Sequence, residues 1–309
     1  MSKDLKNWFL LLLLACIWGS SFILMKKGMY ADSGEVVYTD MQVGSLRMLL
    51  AGIVLIPFGI LNLRKIKNSK QFITLATVGF AGNFFPAFLF TYAETGISSG
   101  FAGMLNSCTP IFTILLGTIF YNSKFTRVQL VGVILGTVGI ISLMIAGKSI
   151  SMTGGWIHIL AVVVATFLYA TSLTTIKFQL QSFTSFEITT LAFTIVFLPA
   201  LVANYLTGTF ATTISHPEAS TSLMYIGILS VIGTAIAVIL FNILLSKSSA
   251  LFASSVTYII PIVAVSIGLA FGENIHLGQV FSMILILGGV FVANYGQKIF
   301  SPQKQANNS

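Results

Sequence analysis

An all-α integral membrane protein, with ten transmembrane helices in two inverted five-helix repeats, is the fold class that three observations on the sequence predict. The first is composition: 56% of the 309 residues are apolar and only 8% are charged, against about a quarter charged in a soluble domain. The second is run length, because the apolar stretches are each about 20 residues long, enough to cross a bilayer as helix. The third is internal repetition. Ser98 to Asn122 reads SSGFAGMLNSCTPIFTILLGTIFYN and Ser249 to Glu273 reads SALFASSVTYIIPIVAVSIGLAFGE, so that an offset of 151 residues lays Ser98 on Ser249, Ala102 on Ala253, Pro110 on Pro261 and Phe120 on Phe271. The same offset pairs Trp18 with Tyr169, Ser21 with Ser172, Lys26 with Lys177 and Gly82 with Gly233; after a one-residue slip it pairs Gln129 with Gln279. Such repeats mark many secondary transporter folds, whose substrate site lies where the repeats meet.

Taken in order, the spans are expected at Trp8 to Met25, Met41 to Asn62, Phe72 to Tyr92, Ile97 to Tyr121 and Arg127 to Ala146, then at Gly154 to Ile176, Ser185 to Leu206, Leu223 to Leu245, Ala250 to Phe271 and Leu277 to Ile299. The first run follows Lys3 and Lys6 and is too long for the apolar core of a signal peptide, so it is read as a retained helix. Two five-span domains follow, 8–146 and 154–299, with a polar tail over 300–309. The longer loops, Gly28 to Asp40 and Thr207 to Ser222, have no room for a soluble catalytic domain.

Charge orients the chain. With the N terminus in the cytoplasm, Lys3, Lys6, Arg64, Lys65, Lys67, Lys70, Lys124, Arg127, Lys177, Lys247, Lys298 and Lys304 fall inside, and only Lys26, Lys27 and Lys148 fall outside. Positive residues stay on the cytoplasmic side, so both termini are expected there. Five spans per repeat, an odd number, then insert the second repeat upside down. The net charge of +8 is thus a topology signal, with no basic groove or motif for nucleic acid. No G-x-x-x-x-G-K-[ST] phosphate loop occurs, which argues against ATP as the driving force.

Few residues in the spans carry chemistry. Trp18, Ser21 and Met25 share one helical stripe, so the indole and hydroxyl either face a cavity or serve helix packing. Arg47 is the basic residue well inside a span, where an unpaired charge is costly. Two readings stay open: a structural ion pair with Asp40 or Glu94, or a site for a substrate carboxylate. Asn83, Asn106, Tyr169, Asn242, Thr257 and Tyr258 complete the candidate substrate contacts, with Asn106 and Thr257 equivalent under the offset. Pro110 and Pro261 free carbonyls one turn earlier and are candidate helix kinks. Lys26 and Lys177 end the first helix of each repeat and, by inversion, stand at opposite mouths as candidate gates. Glu94, Glu187 and Glu273 fall at span ends, leaving no ionisable carboxylate expected at mid-depth to relay protons. His158, His216 and His276 stand apart, so neither a metal site nor a catalytic set is expected, and no cofactor. Cys16 and Cys108 are expected to behave as small apolar residues.

These residues resemble the drug/metabolite transporter superfamily, EamA type. The resemblance runs from about Trp8 to Tyr295 in two copies and rests on W-G-S-S-F with Lys26, on Arg47, on the Pro110 and Pro261 helices and on G-E-N-I-H-L-G-Q at Gly272 to Gln279. It implies two inverted five-helix halves around a central cavity, exporting amino acids, nucleobases, other metabolites or drugs across a bacterial inner membrane. One departure stands out: members often carry Glu after the proline helix in both repeats, and here Glu273 has its counterpart at Asn122. The expected protein is a metabolite permease working by alternating access in the lipid bilayer, as monomer or homodimer, with a cavity lined by the first, fourth, sixth and ninth helices. A multidrug or nucleotide-sugar carrier is the alternative within the superfamily, and a membrane-embedded enzyme the alternative outside it.

Overall fold

The computed structural model describes residues 3–121, 126–148, 155–248, 253, 256–274 and 276–300. Among them the chain is helical, with one isolated bridge, Tyr30 to Val36, in the loop after the first helix. Ten long helical elements follow one another: α1 (Lys3–Met29), α2 (Asp40–Asn62), α3 (Ser69–Glu94), α4 (Ser99–Tyr121), α5 (Arg127–Lys148), α6 (Trp156–Gln179), α7 (Ser185–Leu206), α8 (Ala219–Lys247), α9 (Val256–Ala270) and α10 (Leu277–Phe300). A short helix, Thr209–Ser215, fills the loop between α7 and α8.

Seven of these, α1 to α4 and α6 to α8, are long and apolar enough to cross a membrane. The other three expected spans contain shorter apolar stretches, Arg127–Gly139, Ile259–Ala270 and Leu277–Gly289, so length and hydropathy within the described residues do not reach the expected ten. The tail from residue 301, Asn122 and the start of the expected ninth span lie outside the described residues. Where the bundle faces outward it exposes large apolar side chains, among them Leu61, Ile119 and Leu206. Lipid accepts that surface, and helices are what lipid demands, since each backbone N–H and C=O must then find its partner within the segment.

Helix starts follow local chemistry. Thr39 and Thr184 form reciprocal capping boxes with Gln42 and Glu187, and Asn68 and Ser98 cap α3 and α4. Thr126 and Gln129 make the same reciprocal bonds at α5, and Gln279 accepts from the His276 N–H at α10, giving the two slipped glutamines one role.

Contacts come in swapped pairs. α1 packs on α8 and α9, while its repeat equivalent α6 packs on α3 and α4. α2 with α7, α4 with α9, and α5 with α10 pair each helix with its own equivalent, as an isologous two-fold arrangement requires. α5 and α10 meet on glycines: a Cβ on Gly289 would lie 2.3 Å from the Gly136 nitrogen, so the helices approach at backbone distance.

Two irregularities centre the fold. α4 breaks at Ser107–Cys108 between helices Ser99–Asn106 and Thr109–Tyr121, with Pro110 second in the later piece. Pro261 instead lies inside the continuous helix Val256–Ala270. α3 and α8 each contain a π-helical turn, Phe80–Phe84 and Val231–Ile236, at equivalent places in the two repeats.

Candidate functional site

The π-turns shape a central cavity. Each widens its helix by one residue, leaving carbonyls and one polar side chain at its edge. In α3 the Asn83 amide donates to the Val78 carbonyl at 3.3 Å; in α8 its equivalent, Thr234, donates to the Leu229 carbonyl at 3.1 Å. Gly82 and Gly233, inside the turns, let the facing repeat come close. A Cβ on Gly82 would lie 2.3 Å from the Ser172 hydroxyl oxygen and one on Gly233 would lie 2.9 Å from that of Ser21, so the serine–glycine contact is made twice with the repeats exchanged.

The aromatic walls repeat in the same way. Trp18 meets Phe241 with ring centroids 5.1 Å apart, and Tyr169 stacks on Phe90 at 5.8 Å, each pair joining one repeat's first helix to the other's third. The Trp18 indole N–H donates to the Gly233 carbonyl at 3.1 Å.

The cavity has a volume of about 140 Å³. Trp18, Ser21, Arg47, Asn83, Asn106, Tyr169, Asn242 and Thr257 all line it. Of the expected substrate contacts, the Tyr258 side chain lies outside the described residues. The lining is wider than the four helices expected, because α2, α3, α7 and α8 also contribute; the π-turns bring α3 and α8 inward and Arg47 brings α2.

Arg47 is 8% exposed. Its Nε donates to the Thr234 hydroxyl at 2.8 Å, and one terminal nitrogen lies 3.8 Å from the Met25 sulfur. The expected ion pair with Asp40 or Glu94 is not formed: no described carboxylate lies within 4.0 Å, because Thr234 on the widened turn takes the donor. Nor does Asp or Glu appear among the lining residues. Among the described residues the cavity therefore holds a cation with donors to spare and no anion. Asn106, also at its wall, has a buried Oδ1 without a partner, while Asn242 is held by a 2.8 Å bond to Thr189.

Beyond the cavity, the gate candidates differ. Lys26 forms a 3.0 Å ion pair with Glu273, which also accepts the Ser99 and Gly100 N–H groups at 2.9 and 3.0 Å at the start of α4. Gly272, at φ +83°, turns the chain to place this carboxylate, and Gly268 leaves it room. Burial tends to raise the Glu273 carboxyl, but the Gly100 N–H, the Lys26 charge and the Ser99 N–H outweigh it and hold it below the ordinary value. Lys177 is exposed, 5.1 Å above its neighbour Phe178's ring. Glu94, expected at a span end, is buried at 2% exposure, with the Ser99 hydroxyl 3.5 Å from it. His158 stacks on Tyr92 at 4.7 Å, and both cysteines are free, Cys16 exposed and Cys108 buried.

A family model for the EamA-like transporter family matches the chain twice, over residues 6–145 and 156–295. The chain belongs to the EamA-like transporter family. It is thus a transporter embedded in the bilayer, built on two repeats. This EamA chain is 25% identical over 294 residues to the uncharacterized inner membrane transporter YedA of Escherichia coli K12, covering 92% of this chain and 89% of that protein. It is 24% identical to a probable terminal-alkyne amino-acid exporter of Streptantibioticus cattleyicolor, covering 90% and 88%. A crystal structure of a protein given no further description shares the fold at TM-score 0.62 with 13% identity, over 96% of this chain and 99% of that one.

Sequence reasoning missed three features of the site. Thr234 and both π-turns were signalled only by polar residues beside the paired glycines Gly82 and Gly233. The Lys26–Glu273 pair spans the two repeats, which no local spacing reveals.

Proposed function

We propose that this chain exports small metabolites bearing a carboxylate, amino acids among them, across a bacterial inner membrane by alternating access and without ATP. The observation that carries the reading is Arg47: a buried guanidinium facing a cavity whose described lining has no carboxylate. A cation so placed is costly unless an anion or water meets it, and a substrate carboxylate meets it by bidentate hydrogen bonding. Trp18, Ser21, Asn83, Asn106, Tyr169, Asn242, Thr257 and Tyr258 make the remaining contacts. The Asn106 carbonyl oxygen is the natural acceptor for an amino group.

The swapped helix pairs support two five-helix halves, 8–146 and 154–299, inserted in opposite senses, and the distribution of basic loop residues favours both termini in the cytoplasm. In such a frame Lys26 and Lys177 gate opposite mouths, and Pro110 and Pro261 soften the central helices. A relative named as a probable terminal-alkyne amino-acid exporter supports the substrate class.

The test is thermal stability of the purified protein against amino acids, nucleobases, sugar nucleotides and cationic dyes. A ligand at a hundred times its Kd stabilises the folded state by about 2.7 kcal/mol. Stabilisation by a carboxylate-bearing metabolite, lost in Arg47→Gln, is the expected result. Stabilisation by cationic dyes or sugar nucleotides alone, unchanged in Arg47→Gln, would instead assign a multidrug or nucleotide-sugar carrier.

A further inference from the structure

Two carboxyl groups stand near Lys26 at the start of α4, and only one of them is paired with it. Glu273 accepts three hydrogen bonds, one of them from the Lys26 ammonium. Glu94 has one long contact, the Ser99 hydroxyl 3.5 Å from Oε2, and its Oε1 is buried with no partner. Ser99 joins them, turning its hydroxyl to Glu94 and its N–H to Glu273. The other charges bearing on Glu94 are Lys26 from α1, Glu273 beyond α9 and Arg47 from α2, while His158 of α6 is engaged with Tyr92.

An ionised carboxylate so poorly supplied with donors does not recover its desolvation cost. The available ammonium is already committed 3.0 Å from Glu273. Holding a proton resolves the conflict, and so does moving Lys26. We propose that Glu94 is a proton-binding site that works the contact between Lys26 and Glu273 as a latch. With the proton on Glu94, Lys26 stays on Glu273 and α1 is tied through it to the start of α4. When the cavity is open to the cytoplasm and Glu94–COOH gives its proton to water there, the Lys26 ammonium moves to the new carboxylate, Glu273 keeps only the two backbone N–H groups and the outer mouth opens; a proton taken up from outside then re-forms the latch. Lys26 stays charged throughout, so one proton moves per opening.

The latch adjoins the cavity directly: Met25, beside Lys26, and Phe90, one turn before Glu94, both line it. The device is one-sided, because the equivalents of Glu94, Ser99 and Glu273 are Leu245, Ala250 and Asn122. It rests on the transport reading only for its consequence, proton-coupled export; the proton site stands on the geometry alone.

Infrared difference spectroscopy of the purified full chain, titrated from acid to alkaline pH, reads the site without any substrate. The expected result is a protonated-carboxyl stretch at neutral pH that disappears in Glu94→Gln, persists in Glu273→Gln and shifts in Ser99→Ala. No such band in the wild type, or a band undiminished in Glu94→Gln, overturns the proposal. Proteoliposomes loaded with the standard amino acids and a pH dye then read coupling. Wild-type efflux is expected to bring protons in, and Glu94→Gln, locked in the latched state, to lose at least tenfold in rate and all pH dependence. Wild-type efflux without proton movement overturns the coupling, whereas no efflux from a protein that shows the band counts against the transport reading and leaves the proton site standing.

Discussion

Lys26 and Lys177 are equivalent in sequence and end the first helix of their repeats, yet one is pinned and the other has no ion-pair partner among the described residues. Lys26 has a side chain 35% exposed and held on Glu273, itself 7% exposed and anchored to the facing repeat's backbone. Lys177 is exposed, makes no ion pair among the described residues and rests over Phe178. The difference traces to one position in sequence, Glu273 against Asn122. A two-fold scaffold can thus carry two unlike ends: the repeated glycines, serines and aromatics set a common cavity, and one unrepeated carboxylate decides which of the two lysines is paired.

The largest effect expected is at that carboxylate. Glu273→Gln removes the ion pair and weakens two charge-assisted bonds, and should cost roughly 2–3 kcal/mol, read as a lowered thermal midpoint. Lys177→Gln should stay within about 0.5 kcal/mol of wild type; equal losses would dissolve the contrast between the ends. The repeated contacts come next. Gly82→Ala forces a methyl onto Ser172 and should cost about 2 kcal/mol, whereas Gly233→Ala meets Ser21 less closely and should cost about 1 kcal/mol. A reversed order would show that the repeats pack differently from the contacts seen here.

Adding the missing carboxylate sharpens the comparison from the other side. By its equivalence in sequence with Glu273, Asn122→Glu should give Lys177 a partner and raise stability by about 0.5–1 kcal/mol, an increment that Lys177→Gln removes. The smallest effect at working pH is titration of the latch. The folded Glu273 carboxyl lies below its unfolded value of about 4.3. Its stabilisation is therefore complete above that value and lost as pH falls through the folded one. The acid limb of the stability profile should flatten in Glu273→Gln and be untouched in Lys177→Gln.

Much of this was legible in the sequence, and the particular residues show why. Trp18, Ser21, Tyr169 and Ser172 announced themselves by recurring at a fixed offset, and they meet in the cavity as paired contacts. Arg47 announced itself by cost, since a guanidinium inside an apolar span needs a reason. The sequence misjudged its partner, because Thr234 reaches it only through a π-turn that apolar periodicity does not register. Glu94 misled for a related reason: position in a span says how far along a helix a residue sits, but its burial is set by what folds over the helix end. Pro110 and Pro261 match in sequence, yet a break precedes the first and a continuous helix contains the second, so equivalent prolines need not give equivalent bends.

The most direct test of the cavity as the transport path is efflux of labelled amino acids from proteoliposomes containing wild-type or Arg47→Gln protein. Loss of a carboxylate contact worth 1.4 kcal/mol or more corresponds to at least tenfold, so efflux of carboxylate substrates should fall by that factor or more in the variant while its thermal midpoint in the absence of substrate stays intact. Undiminished efflux from a folded Arg47→Gln protein would contradict the account, because the one cation lining the described cavity would then have no part in what passes through it.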